Sequence, residues 1–283
     1  MHDRRLKEVG RSGVSDDRSA LRAACEPGVG LCTIVGIEGS FSRRLGAQLA
    51  VHPDGEITGS LADGCLEKQL AGEVAAASAP VVKRFGAGSE LIDFRLPCGS
   101  GLDVLIDPAP DRAACMAAMA ELDGRRPAFL PLPSPQLTER RYIPPLRLLL
   151  FGEGPELEAL LALAWTAGIE ADCAGDVSLG QPPEGAPGDR WTAIELLFHD
   201  HEWEQPILKW ALAGEAFHIG AQGGLEARRG RVERLEAAGV TRDQIGRIRS
   251  PVGLIHRSRE PRVLALSVLA EVVGEYEQLH PYA

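Results

Sequence analysis

Three short glycine-rich segments hold the residues best suited to chemistry. Gly39-Ser40-Phe41-Ser42-Arg43-Arg44-Leu45-Gly46-Ala47 places adjacent arginines after a Gly-Ser turn. Gly59-Ser60-Leu61-Ala62-Asp63-Gly64-Cys65-Leu66-Glu67 carries a cysteine at the expected start of a helix. Pro97-Cys98-Gly99-Ser100-Gly101 sets a second thiol beside glycines. Arg43 and Arg44, which follow the Gly39-Ser40 turn, have the chemistry to fork to a phosphate, with Ser40 beside them; the alternative is two solvated arginines. A thiol in a first helical turn lies at the positive end of the helix dipole, which favours thiolate. A thiolate can carry sulfur or ligate a soft metal. Asp63 either opposes that charge or caps the helix. Cys65 and Cys98 are therefore the candidate metal or sulfur contacts, against the alternative of a small residue packed under the sheet. With the backbone amides of Gly64 and Gly99, the set suits an anionic, sulfur-seeking ligand.

The second half holds a different set. Gly152-Glu153-Gly154 follows an apolar run and opens a helix, which is half of a dinucleotide fingerprint. The third glycine position is Leu157, so the fingerprint is incomplete, and a purely structural turn stays open as the alternative. Asp172 and Asp176 compete to hold a ribose hydroxyl, and Asp176, beyond the strand end, is better placed. His199-Asp200-His201 ends a strand at the edge where α/β sheets bind ligands; a capped turn is the other reading. Gly220 to Gly224 forms a second anion-friendly turn, and Arg228, Arg229 and Arg231 beyond it read as a solvated helix face. The sequence shows no serine nucleophile elbow, Walker loop or zinc-type Cys/His cluster. From these motifs alone, the case for an enzyme is thin.

The elements that must position these residues read as two domains. The chain has 283 residues, 45% of them hydrophobic, and a formal net charge of -10. That supports a packed core and argues against general nucleic-acid binding, which needs a basic surface. No apolar run approaches the roughly 18 residues of a membrane span. The polar start, Met1-His2-Asp3-Arg4-Arg5, lacks a secretory core, so the expected location is cytoplasmic, with six scattered cysteines kept as free thiols. Val29–Ile37 is a buried strand; Pro53-Asp54-Gly55 joins a hairpin; Leu66, Leu70 and Val74 recur at helical spacing. Strands follow at Val81–Phe85, Leu91–Leu96 and Leu102–Ile106, then a helix over 112–122. Six prolines between Pro127 and Pro145 mark a linker. Beyond it, strands at Leu146–Phe151, Ile169–Cys173, Glu195–Phe198 and Phe217–Ile219 alternate with helices at 205–212, 225–237 and 262–279. Alternation argues a doubly wound sheet. The predicted fold class is α/β: an N-terminal α+β domain with a β-rich sheet (1–126), a linker (127–145), and a C-terminal Rossmann-like doubly wound parallel-sheet domain (146–283).

Taken together, the chain resembles the XdhC/CoxI family, accessory proteins of molybdenum enzymes. The resemblance runs through Gly39-Ser40, Arg43 or Arg44, Gly46-Ala47, Gly59-Ser60, Gly64-Cys65-Leu66-Glu67 and Cys98-Gly99. It continues through Gly152-Glu153-Gly154, His199-Asp200, Ile219-Gly220, Pro251-Val252-Gly253-Leu254 and the closing helix from Ala265 to Glu271, so it spans about residues 30 to 275. Ala62-Asp63 stands where the family usually has Ser-Gly, Ser100 replaces a glycine, and His256-Arg257 replaces Gly-Ala. The resemblance implies a chaperone that binds molybdenum cofactor, protects it, supports its sulfuration by a cysteine desulfurase-type donor, and delivers it to an apo-molybdoenzyme. Xanthine dehydrogenase, carbon monoxide dehydrogenase and formate dehydrogenase are the implied client types, and a homodimer is the implied assembly. The cofactor form, molybdopterin or its dinucleotide, stays open. Two rival readings are an NAD(P)-dependent oxidoreductase and a ligand-free bridge between a sulfurase and its client.

Overall fold

The structure, a computed structural model, describes residues 18–61, 64–89, 99–173 and 178–282, with residue 65 by its backbone alone. The described chain forms two compact units that divide between Pro144 and Pro145, and residues 280–282 group with the first. The strand expected over Leu91–Leu96 lies outside the described residues.

In the first unit, a short helix α1 (Ser19–Ala23) precedes β1 (Gly30–Glu38), β2 (Gln48–Val51) and β3 (Ile57–Gly59). Helix α2 (Cys65–Ala76), β4 (Val81–Gly86), β5 (Gly101–Asp107) and α3 (Arg112–Asp123) follow. The five strands pair antiparallel in the order β3-β2-β1-β5-β4. β1 reads as a continuous apolar run because both of its faces are covered. Leu31 and Val35 join Ala50 and Leu105 in a core with Leu21, Cys115 and Leu122. Cys32 and Ile34 face the other way, into a core with Leu49, Val104, Leu66 and Leu70. This is the strand period of two acting on two cores at once. Burial pushes the Cys32 and Cys115 thiols up to about 12, so both are inert packing groups.

The proline-rich stretch read as a linker carries two paired strands. β6 (Ala128–Pro131) and β7 (Glu139–Tyr142) form an antiparallel hairpin. Its Leu130, Leu132 and Tyr142 are buried in the first of those cores. The Tyr142 hydroxyl donates to the Gln48 side-chain oxygen, and Gln48 in turn donates to Thr33 at 3.0 Å. Proline lacks an N–H, yet a two-stranded ribbon has free edges where that loss is tolerated.

The second unit is a parallel sheet. β8 (Arg147–Gly152), α4 (Pro155–Thr166), β9 (Glu170–Cys173) and β10 (Thr192–Leu197) come first. A 3₁₀ turn (His201–Trp203) leads into α5 (Glu204–Leu212), β11 (His218–Ala221), α6 (Leu225–Ala237), α7 (Arg242–Ile245), β12 (Ile248–Arg249) and α8 (Pro261–Gln278). The strand order is β12-β11-β10-β8-β9, all parallel. Ala193 and Leu197 of β10 pack with Leu160 of α4 and Val268 of α8. Ile194 and Leu196 pack on the opposite face with Ile207 of α5 and Leu235 of α6. Helices thus cover both faces, the expected doubly wound arrangement.

Glu195 shares the α4/α8 face and is fully buried. Its Oε1 lies 2.8 Å from His218 Nε2, while His218 Nδ1 lies 2.9 Å from Glu275 Oε2 on α8. Arg249 donates to Glu275 at 3.0 Å. Two carboxylate oxygens on two ring nitrogens require two N–H donors, so the geometry selects the imidazolium. Burial alone would push His218 down, but Glu195 and Glu275 together raise it to about 10. Burial raises Glu195, with His218 acting against that, and His218 lowers Glu275. Gly220 makes room for this pair, because a Cβ there would lie 2.2 Å from Glu195 Oε2.

A histidine whose folded pKa exceeds its unfolded value stabilises fully below the unfolded pKa and loses that contribution as pH rises through the folded one. The melting temperature is therefore expected to fall as pH climbs from about 6.5 towards about 10. A His218→Gln variant should show a flatter profile in the same range. Calorimetry across that range checks it; a wild-type profile as flat as the variant's would contradict the pairing.

Candidate functional site

The topology of the first sheet gathers all three glycine-rich loops at one end. β1 leaves there at Glu38, β2 enters at Gln48, β3 leaves at Gly59 and β5 enters at Gly101. Glu38 pairs with Gly101, and Gly86 of β4 pairs with the same glycine. Because neighbouring strands run antiparallel, loops far apart in sequence meet at the same edge.

Side chains then tie the loops together. Arg43 Nε donates to the Ser60 carbonyl at 3.2 Å and its NH2 group to Ser60 Oγ at 3.2 Å. A third hydrogen bond reaches the Ser42 carbonyl at 3.4 Å. Arg43 is exposed, and none of these partners is a carboxylate, so its charge is not neutralised within the described residues. Arg44 beside it is half-buried. The Ser100 hydroxyl donates to the Ser40 carbonyl, which holds the Gly99-Ser100-Gly101 turn against Gly39-Ser40. The serine that replaces a glycine thus acts as a clamp; it is 2% exposed. Arg84 also reaches this end, where it meets Glu38 and Asp103. A Cβ on Gly101 would lie 2.1 Å from the Arg84 guanidinium, so the glycine is what admits it.

Glu67 organises the second loop, a role that sequence reasoning did not assign to it. Only 3% exposed, it accepts from Leu61 N at 3.1 Å and from Gly64 N at 2.7 Å. Ser60 Oγ lies 3.5 Å away. Gly64 has φ +90°, a left-handed conformation that glycine adopts without strain. Cys65 follows as the first residue of α2. The positive end of α2 is therefore shared between the Glu67 carboxylate and residue 65. The Glu-three-after-Gly64 spacing is the sequence signal that could have identified this closure, since it matches the N3 acid of a capping box.

Of the sequence-derived candidates, Ser40, Arg43, Arg44, Gly64 and Gly99 come to this one end, as does the backbone of Cys65. Cys98 and Asp176 lie outside the described residues. Gly152, Gly154, His199 and Asp200 sit on the second unit, at the carboxyl ends of β8 and β10. These strands flank the point where strand order reverses, the position at which such sheets bind ligands.

That second edge does not look like a phosphate cradle. A Cβ on Gly152 would lie 2.4 Å from the Leu197 carbonyl, so this glycine is required by the close approach of β8 and β10. Gly154 (φ +91°) opens α4, but Glu156 stands in the first turn, its Oε2 3.7 Å from where a Gly154 Cβ would be. With Glu158, it puts negative charge in the first turn, where a phosphate would be repelled. His199 Nε2 lies 3.4 Å from that oxygen, and its side chain is 66% exposed. Asp200 accepts from Glu202 N at 3.0 Å, which makes it a cap of the 3₁₀ turn.

Arg231 corrects the reading of a solvated arginine face on α6. It is 3% exposed, and forks to Glu204 with Nε at 2.8 Å and NH2 at 2.7 Å. Arg228 and Arg229 are indeed exposed. The signal was the helical spacing of Arg231 with Leu235, four residues on, which shares its buried face.

Comparisons agree with this architecture. Residues 148–272 match a family model described as the XdhC Rossmann domain, and residues 22–86 match the model of the XdhC and CoxI family. A molybdenum cofactor insertion chaperone, PaoD of Escherichia coli, is 32% identical over 92% of this chain and 88% of its own. A crystal structure described as a xanthine dehydrogenase from Bacillus halodurans has a TM-score of 0.68, covering 92% of this chain and 96% of that one. At 19% identity, that likeness speaks for the fold alone.

Two substitutions probe these edges. Glu67→Ala leaves the Leu61 and Gly64 amides without their acceptor, and a loss of about 2–3 kcal/mol in urea unfolding is expected. Gly152→Ala adds strain at φ +135° to the clash with Leu197, for a loss of roughly 3 kcal/mol. Either variant unfolding at the wild-type midpoint would contradict the contact assigned to it.

Proposed function

The chain belongs to the XdhC and CoxI family, and from that premise we propose that it is a molybdenum cofactor chaperone. The observation that carries this reading is the 32% identity over 92% of the chain to a cofactor insertion chaperone. The chaperone would hold the cofactor, protect it, support its sulfuration, and pass it to an apo-molybdoenzyme of the xanthine dehydrogenase, carbon monoxide dehydrogenase or formate dehydrogenase type. A cysteine desulfurase-type protein would supply the sulfur.

The residues at the loop end of the first unit fit such a ligand. The cofactor, when bound, supplies molybdenum held by a pterin dithiolene that also carries phosphate. Arg43 offers an exposed guanidinium whose hydrogen bonds already fix it across two loops. A fork held this way loses little entropy on meeting phosphate. Arg44 and the Ser40 and Gly99 turns flank it. Cys65, at the first position of α2, and Cys98, one residue before Gly99, are the proposed thiol contacts for sulfur or molybdenum. The Gly152–Gly154 turn fits a phosphate poorly because of Glu156, which also weighs against the NAD(P) oxidoreductase reading. No described helix is long and apolar enough to cross a membrane; the cytoplasm is the proposed location. For a homodimer, the support is the exposed apolar group Leu254, Ile255, Val263 and Leu266 on and beside α8.

The test is cofactor content. The chain is expressed anaerobically in a host that makes the cofactor, then assayed for molybdenum, pterin and released GMP or CMP. Near-stoichiometric pterin is expected, and a nucleotide in equal amount would identify the dinucleotide form. Arg43→Ala should keep the fold, since the residue is exposed, yet retain about tenfold less cofactor. A protein that is empty and takes up no supplied cofactor would remove the chaperone reading.

A further inference from the structure

The hairpin within the proline-rich stretch leaves a space between itself and the first sheet. Leu31 and Thr33 of β1 stand opposite Asp107 and Leu105 of β5 in the antiparallel register, and directly opposed residues share one face of a sheet. Residues 130–133, from β6 and the turn after it, line the same space, as do Pro110 and Asp111. The cavity measures about 380 Å³, within the range of about 300–1,000 Å³ usual for small-molecule sites. Leu31 stands near the start of β1 and Asp107 at the end of β5, so the cavity lies at the opposite end of the sheet from the glycine-rich loops.

Its chemistry is one-sided. The charged side chains of the lining are two carboxylates, Asp107 and Asp111, with no base among them. Pro110, Pro131 and Pro133 bring no N–H, and the Leu132 amide is spent on the Thr138 carbonyl at 2.9 Å. Thr33, the one side-chain hydroxyl of the lining, already holds Gln48 and is 0% exposed, out of a ligand's reach. Asp107 is 8% exposed. Its Oδ1 accepts from Ala109 N at 3.1 Å, while Oδ2 has no hydrogen-bond partner among the described residues. Asp111 Oδ1 caps α3 through the Ala113 and Ala114 amides. The arginines of the neighbouring segments leave Asp107 uncompensated. Arg112 makes no ion pair among the described residues. Arg140 lies over the rings of Tyr142 and Tyr282, and Arg141 pairs with Glu139. Burial pushes the Asp107 carboxyl up, with the Ala109 amide acting against it. A carboxylate taken out of water without a counter-charge is relieved by a cation.

We propose that this cavity binds a small organic cation, a primary ammonium on a compact apolar body, with the charge at Asp107 Oδ2 and the body against Leu31, Leu105, Leu130 and Leu132. An ammonium brings three donors and no acceptor, which matches a lining of carboxylate and proline. The apolar wall is broad, so a compact body covers it, whereas the thin methylene stem of a partner's lysine would leave much of it bare. The inference goes beyond the chaperone reading and does not depend on it.

The experiment is amide NMR of the full chain near neutral pH, titrated with three probes of one shape: cyclohexylamine, cyclohexanol and cyclohexanecarboxylate. The amine should shift the amides of residues 31–33, 105–111 and 130–132 with a Kd on the order of 1 mM, a strength open to a ligand of about seven non-hydrogen atoms. The alcohol should bind about tenfold more weakly, and the carboxylate should leave the spectrum in place. Asp107→Asn keeps an oxygen for the Ala109 amide and should bring the amine down to the alcohol's level. Asp111→Asn, at an exposed carboxylate, should change its affinity by roughly twofold or less. An alcohol or carboxylate that matches the amine overturns the proposal. So do shifts that map elsewhere on this acidic chain, and so does a preference lost in Asp111→Asn but kept in Asp107→Asn. A Gly-Lys-Gly peptide that binds more tightly than cyclohexylamine would assign the cavity to a partner's lysine and overturn the small-molecule reading. If Asp107→Asn does not fold, the ranking of the three probes on the wild-type chain decides by itself.

Discussion

A carboxylate taken out of water must be met by donors, and this protein places three such groups at its structural joints. Burying an unmatched charge costs several kcal/mol, so each buried acid fixes whatever surrounds it. Glu67 draws two backbone amides and thereby closes the Gly59–Cys65 loop on α2. Glu195 draws His218 and, through it, the Glu275 of α8, which ties the central strands to a covering helix. Glu204 draws Arg231 and His201, which links α5, α6 and the turn between β10 and α5. The glycines near these acids follow from the same demand: Gly64 bends to deliver its amide, and Gly220 clears space for the Glu195 carboxyl.

Both sheets are covered on both faces, and that pushes chemistry to their edges. In the antiparallel sheet, alternation sends Leu31 and Cys32 into different cores, so both faces are largely packed, with one cavity of about 380 Å³ left between β1, β5 and residues 130–133. The loops at one end remain, and their turns are built from glycine and serine with an arginine across them. In the parallel sheet the carboxyl ends of β8 and β10 play that part. The two edges differ in electrical character. One presents an exposed guanidinium without a carboxylate partner; the other carries Glu156, with His199 Nε2 3.4 Å from its carboxylate, and the buried Glu204–Arg231 pair. An anion suits the first better than the second.

Local pattern made much of the architecture legible. The helix read over Leu225–Ala237 has the observed bounds of α6, and the Asp-Gly turn between 48–52 and 56–59 yields the β2–β3 hairpin. Both rest on forces that act within a few residues. The strand-helix alternation after Leu146 likewise leads to a doubly wound sheet. The hairpin inside the proline-rich stretch was illegible, because prolines signal only what the backbone cannot donate, while Tyr142 and Leu130 pair and bury through contacts with β1 and β2.

By itself, the sequence determined residue chemistry at the loops, the order of elements, and the family resemblance, since each is written in types and spacing along the chain. Tertiary structure alone decided which of those residues meet. Arg43 and Ser60 stand 17 positions apart, and Ser100 and Ser40 stand 60 apart; only strand pairing brings them together. It also decided the character of three residues whose types mislead. Arg231 is a buried tether, Glu156 puts a carboxylate in the first turn of α4 where a phosphate was expected, and His201 is held by the buried Glu204 while His199 stays largely exposed. Burial and partner distance set those properties, and neither is a function of the neighbouring letters.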